Sequence, residues 1–158
     1  MKLIIMRHGE ANTFGQPDSQ RCLTANGIQQ AHLAGNWLSQ YLGADNSIDL
    51  AIVSSFQRAK QTYQEVSHSI KSKREESSDD VIPNGDPKMV HDYLDSVIAN
   101  DSALEYLLVV THMPFICFLL EGITVDRCSM LFDTSSIAIV DYNVKTHKGK
   151  IEKVYHPQ

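Results

Sequence analysis

Cysteine is scarce in this 158-residue chain, with three copies at positions 22, 117 and 128. The number is odd and no two have the close spacing of a ligand pair. That excludes a disulfide framework or a thiolate metal site as the organising feature. Cys22, Cys117 and Cys128 each read as small apolar residues in a reducing compartment, with no basic partner to activate a nucleophilic thiol. An excess of positive charge is also missing. Fourteen Lys and Arg against nineteen Asp and Glu give a net charge of −5, which argues against a general binder of nucleic acid or of an anionic membrane surface, though it leaves room for a local basic pocket. No apolar run approaches the ~20 residues of a membrane-spanning helix, and no basic segment precedes an apolar one at the start. A cytoplasmic location is therefore the expectation. No internal repeat and no long apolar surface stripe stand out, so a single domain over 1–158 and a monomer are expected.

The most informative stretch is Ile4-Ile5-Met6-Arg7-His8-Gly9-Glu10, an apolar strand emptying into an arginine, a histidine and a glycine. Such a strand end lies at the carboxyl edge of a sheet, where open α/β folds bind ligands. Arg7 offers a bidentate fork to an oxyanion, and His8 can serve as a base or a nucleophile near neutrality. Alone, the pair is equally well a surface arginine beside a satisfied histidine.

Thr24 then caps a helix with Ile28, Ala31, Ala34, Leu38 and Leu42 at helical spacing, stopped by Gly43. Leu50–Val53 reads as a second buried strand ending in Ser54-Ser55. The next helix carries Ala59, Tyr63, Val66 and Ile70 on one face and Arg58 in its first turn. A cation at that end is misplaced for the helix dipole, which a bound anion would offset; the plainer reading is a solvated side chain. The Lys71–Asp80 run reads as a solvated charged loop and Val81-Ile82 as a short edge strand. Asp86 reads as the cap of a helix starting at Pro87. Leu107–Val110 is a third buried strand, ending in Thr111-His112 and a helix from Phe115. Ile137–Val140 and Ile151–Tyr155 read as an antiparallel hairpin.

This order predicts an α/β fold: a three-layer α/β/α sandwich with a mainly parallel sheet and a C-terminal antiparallel hairpin. Adjacent strand ends would bring Arg7, His8, Arg58 and His112 into one pocket.

Taken together, Arg7-His8-Gly9, the Ser54-x-x-x-Arg58-Ala59-x-x-Thr62 segment, Thr111-His112 and the Leu23-Thr24-x-x-Gly27 helix start resemble the histidine phosphatase superfamily, the phosphoglycerate mutase-like group. Within it, the chain's short length, the Pro83–Asp86 turn and Phe132–Ala138 look most like SixA-type protein phosphohistidine phosphatases. The resemblance implies phosphoryl transfer to His8, with Arg7, Arg58 and His112 binding the phosphoryl oxygens and Arg21 reaching the phosphate or a substrate carboxylate. It implies no cofactor and no metal, and a phosphohistidine-bearing phosphotransfer protein as partner. A general acid is not evident: Met113 follows His112 where larger relatives carry an acid, leaving Glu10 and Asp86 as candidate proton donors. The alternatives are a small-molecule phosphomonoesterase or mutase-like enzyme, and an inactive domain that binds phosphorylated proteins. His32, His68, His91, His147 and His156 show no ligand spacing and read as surface residues.

Overall fold

In the computed structural model, which describes residues 1–125 and 131–157, six strands form one sheet. They are β1 (Lys2–Arg7), β2 (Ser47–Ser54), β3 (Lys71–Ser78), β4 (Tyr106–Thr111), β5 (Ile137–Asn143) and β6 (Lys148–Tyr155), in the spatial order β3-β2-β4-β1-β5-β6. β3, β2, β4 and β1 run parallel, while β5 is antiparallel to β1 and β6 to β5. The helices are α1 (Ala25–Leu42), α2 (Gln57–Val66), α3 (Pro87–Asn100) and α4 (Phe115–Ile123).

Side chains alternate across a strand, so a central strand needs apolar residues on both faces. Ile4, Met6, Ala51, Val53, Leu108 and Val110 pack with Ala34 and Leu38 of α1 and with Ala59, Tyr63 and Val66 of α2. Leu3, Ile5, Leu50, Ile52, Leu107 and Val109 pack on the opposite face with α3 and α4. All four apolar residues Leu3–Met6 have no exposure, and each contributes about 1.5–3 kcal/mol of burial. The expected three-layer sandwich and terminal hairpin are both present.

Helix ends follow the sequence signals. The Thr24 hydroxyl accepts from Gly27 N–H, Asp86 accepts from Lys88 and Met89 N–H, and Gly43 closes α1 with φ +79°. Trp37 stacks between Tyr41 and Tyr155, beside the apolar stripe as its sequence position suggests.

One segment departs from expectation. Lys71–Ser78 is no loop but the edge strand β3, paired along its length with β2. Its charged, exposed side chains are those of a protected sheet edge, and composition alone made them look like loop. Tyr63 Oη bonds Ser72 and Glu75, while Lys73 pairs with Asp49 and Arg74 with Asp101, holding the strand to its neighbours. Val81-Ile82, expected as the edge strand, lies outside any strand; Val81 is buried and its carbonyl accepts from Thr111 Oγ1 at 2.7 Å. Cys22 and Cys117 are half-buried, as small apolar residues would be, whereas Cys128 lies outside the described residues. No helix among the described residues is long and apolar enough to cross a membrane.

Candidate active site

The parallel register of β1 and β4 sets Arg7 level with Thr111, so the next residues, His8 and His112, leave the sheet side by side. His8 N–H donates to Thr111 O at 3.0 Å, and the two imidazole centroids stand 4.9 Å apart. β2, on the far side of β4, ends at Ser54, and the chain turns through Ser55 and Phe56 into α2. That turn delivers Arg58, whose Nε–H donates to His8 Nε2 at 3.2 Å. His8, Arg58 and His112 are all buried.

Each ring is held in one orientation. His8 Nδ1 is 2.7 Å from Gly9 O, and a carbonyl only accepts, so the proton sits on Nδ1 and the Nε2 lone pair faces Arg58. His112 Nε2 is 2.7 Å from Ser54 Oγ, which already accepts from Phe56 N–H. The Ser54 hydroxyl can donate to Nε2, an arrangement that leaves the His112 proton on Nδ1. Among the described residues that Nδ1 has no partner and is buried, as is Arg7 Nε. Arg7 is anchored by its Nη1–H donating to Phe132 O at 2.5 Å and by its N–H donating to Ser136 O. Ser135, at φ +60°, donates its N–H to His8 O. The Phe132–Ser136 stretch therefore holds the Arg-His pair from β5's side.

Burial pushes the His8 imidazole down to about 3, with Arg58, Arg7 and Arg21 adding to the shift. Burial likewise pushes His112 down to about 2, helped by His8 and the same arginines. Both rings are neutral at pH 7. The neighbouring arginines favour a neutral His8, and desolvation is the larger cause. Both folded values lie below the unfolded value near ~6.5, so the unfolded chain binds more protons than the folded one from about pH 3 to 6.5. The stability these groups allow is full above that window and falls as pH drops through it. The expected slope is about 1.4 kcal/mol per pH unit for each histidine, and urea unfolding at pH 7, 6 and 5 checks it. His112→Asn should flatten the slope by about half over that range.

Arg21 lies in the electrostatic reach of both histidines but is tied to Asp18 through Nε at 2.9 Å and to Asn12 O at 3.0 Å. Asp18 Oδ2 also takes Arg58 Nη2 at 3.3 Å, and its carbonyl takes Arg58 Nη1 at 2.6 Å. One carboxylate therefore aligns two arginines; partial burial raises its pKa, but the guanidinium groups outweigh this and hold it low. Asp18 sits in a polar loop with no pattern to mark it. Thr62 Oγ1 accepts from Gly9 N–H and donates to Arg58 O, joining the turn after β1 to α2. The Phe56 ring packs edge-on against His112 and under the Arg58 guanidinium. Ser54 and Thr62 stand inside the motif quoted above, but only the coordinates give them roles. Gly9 is needed for close approach, since a Cβ there would sit 2.6 Å from Gly27 O.

The two candidate proton donors have other partners. Glu10 is exposed and accepts from Thr24 Oγ1 and Asn26 Nδ2, and these bonds hold its pKa below the ordinary value. Asp86 caps α3. The remaining histidines are more engaged than expected: His91 bonds Tyr142 Oη, His156 bonds Ser136 Oγ, and His32 and His68 meet Glu65.

Two neutral imidazoles and two arginines line one pocket, with Arg7 Nε and His112 Nδ1 buried and unpartnered among the described residues, an arrangement suited to a tetrahedral oxyanion. Comparisons with known proteins show the family. Residues 3–79 match the model of the histidine phosphatase superfamily (branch 1). The chain is 34% identical over 144 residues to phosphohistidine phosphatase SixA of Escherichia coli, covering 89% of this chain and 84% of that one. It is 33% identical over 143 residues to a phosphohistidine phosphatase SixA homolog of Haemophilus influenzae, covering 87% and 86%. The structure of the protein histidine phosphatase SixA complexed with tungstate superposes with a TM-score of 0.90 at 30% identity, covering 99% of this chain and 97% of that one. With an Arg-His-Gly strand end, a helix-borne arginine and a second strand-end histidine around one pocket, this chain belongs to the histidine phosphatase superfamily.

Proposed function

We propose that the chain is a protein phosphohistidine phosphatase that works through a covalent intermediate on His8. The carrying observation is the His8 Nε2 lone pair facing Arg58 Nε at 3.2 Å, with the donors Arg7 Nε and His112 Nδ1 buried and unpartnered. Such orphaned groups cost about 1–3 kcal/mol each, and phosphoryl oxygens would satisfy them. His8 Nε2 attacks phosphorus in line, a new N–P bond forms, and the substrate's own P–N bond breaks as its imidazole, already protonated by solvent on its free ring nitrogen, leaves as the neutral ring. Arg7 and Arg58 hold the equatorial oxygens, and His112 Nδ1–H donates to a third. Water then displaces phosphate from His8, restoring the neutral ring. Asp18 and Arg21 act by aligning Arg58 and adding positive potential.

The engagement of Glu10 and Asp86 elsewhere bears on the substrate. An alkoxide leaving group needs a strong acid, whereas imidazole, with a pKa near ~6.5, leaves readily once protonated. The substrate this supports is a phosphotransfer protein carrying phosphohistidine. Since a positioned acid is worth 10²–10⁴-fold, kcat/KM should be at least about 10²-fold higher on a phosphohistidine carrier than on phosphoserine peptides, sugar phosphates or phosphoglycerate. Parallel phosphate-release assays check this. Faster turnover of a small phosphomonoester would make the chain a small-molecule phosphatase, and binding without turnover of any substrate would make it an inactive binding domain.

A further inference from the structure

Away from the phosphate pocket, the seam between α1 and α2 gathers three metal-ligating side chains. We propose that His32, Glu65 and His68 form a site for a divalent transition metal of the zinc class, clamping α1 to the end of α2. One ligand atom from each residue lies within 4.8 Å of the other two, and Glu65 Oε2 stands 3.5 Å from His68 Nδ1. Ligands at about 2.1 Å around a tetrahedral ion are about 3.4 Å apart. The Glu65–His68 edge is already at that spacing, and rotamer adjustment of exposed His32 closes the others. Two imidazoles and a carboxylate favour zinc, cobalt or nickel over magnesium or calcium, with a fourth position open to water.

The backbone beneath the cluster is fixed before any ion arrives. Gly35 lets α1 meet α2 backbone to backbone, since a Cβ there would lie 3.0 Å from Val66 Cα. Ser69 Oγ donates to Asn36 Oδ1 at 2.6 Å, and Ser69 O accepts from Asn46 Nδ2. His32 precedes Asn36 by one turn and shares its face, while His68 adjoins Ser69. The ion would also sit at the C-terminal end of α2, the negative end of the helix dipole. Glu65 is about 10 Å along the axis from Arg58, so the metal would brace the scaffold without touching the phosphate.

Titration of the full chain with Zn²⁺ or Co²⁺ against a chromophoric chelator tests this. The expected result is one equivalent bound with Kd at or below about 10 μM. His32→Ala and His68→Ala should each weaken it at least about 10-fold and Glu65→Gln should weaken it too, whereas His147→Ala, whose imidazole stands 3.1 Å from Asp95, should not. Zinc at tenfold its Kd should raise Tm by about 4 °C in wild type and not in His68→Ala. His32 and His68 are exposed, so the metal-free variants should melt close to wild type. Affinity weaker than that, or affinity indifferent to His32 or His68, overturns the proposal and leaves Glu65 and His68 as a surface ion pair.

Discussion

Replacement of His8 by asparagine is expected to lower kcat/KM for phosphohistidine hydrolysis by at least about 10⁴-fold, the scale of removing a covalent nucleophile. Asparagine keeps a short polar side chain near Gly9 O, which His8 Nδ1–H reaches at 2.7 Å, but it has no nitrogen lone pair for phosphorus. The arginines would remain, so oxyanion affinity should survive within about tenfold. Loss of turnover with retained tungstate or phosphate binding separates a missing nucleophile from a collapsed pocket. Steady-state kinetics together with calorimetric titration read both. Activity above about one hundredth of wild type would mean that water is activated directly, without the His8 intermediate.

Arg58→Ala is expected to cost about 10³-fold in kcat, between the loss of an oxyanion-hole donor and that of an arginine finger. Arg58 is 3% exposed and joins His8, Asp18 and the Phe56 ring through one planar group. Lysine keeps the charge but not the fork, so Arg58→Lys should recover less than about tenfold of that loss. Burial, not Arg58, is the main reason for a neutral His8. The imidazole should therefore remain neutral at pH 7 in both variants, which NMR titration of the His8 ring checks. A kcat loss with His8 still neutral assigns Arg58 to the phosphoryl group; a loss that tracks His8 protonation assigns it to the nucleophile's charge state.

How far the sequence carries depends on what each residue is held by. β1, β2 and β4 are legible because strands buried on both faces must be apolar throughout. α1 and α3 are legible because Thr24 and Asp86 bond the backbone within their own turns. β3 escapes because Lys71–Ser78 owes its strand to pairing with β2, a partner distant in sequence, and not to its own residues. The same division runs through the pocket. Arg7, His8, Arg58 and His112 stand at strand ends and a helix start, where topology alone brings them together. Asp18 does not, because it acts from a single 3₁₀ turn within the polar segment between β1 and α1, and the Phe132 carbonyl that anchors Arg7 is a backbone group that no residue type betrays. The His8 tautomer follows from a single hydrogen bond to Gly9, which only coordinates reveal.

The most direct test is to catch the intermediate. The chain would be mixed with a phosphotransfer protein bearing ³²P-phosphohistidine, then quenched within the first turnover in alkaline denaturant, because phosphohistidine is acid-labile. The account predicts alkali-stable label on a peptide containing His8, absent when His8 is asparagine. Phosphate release from wild type with no label on the chain at any time, or label on a residue other than His8, would contradict it.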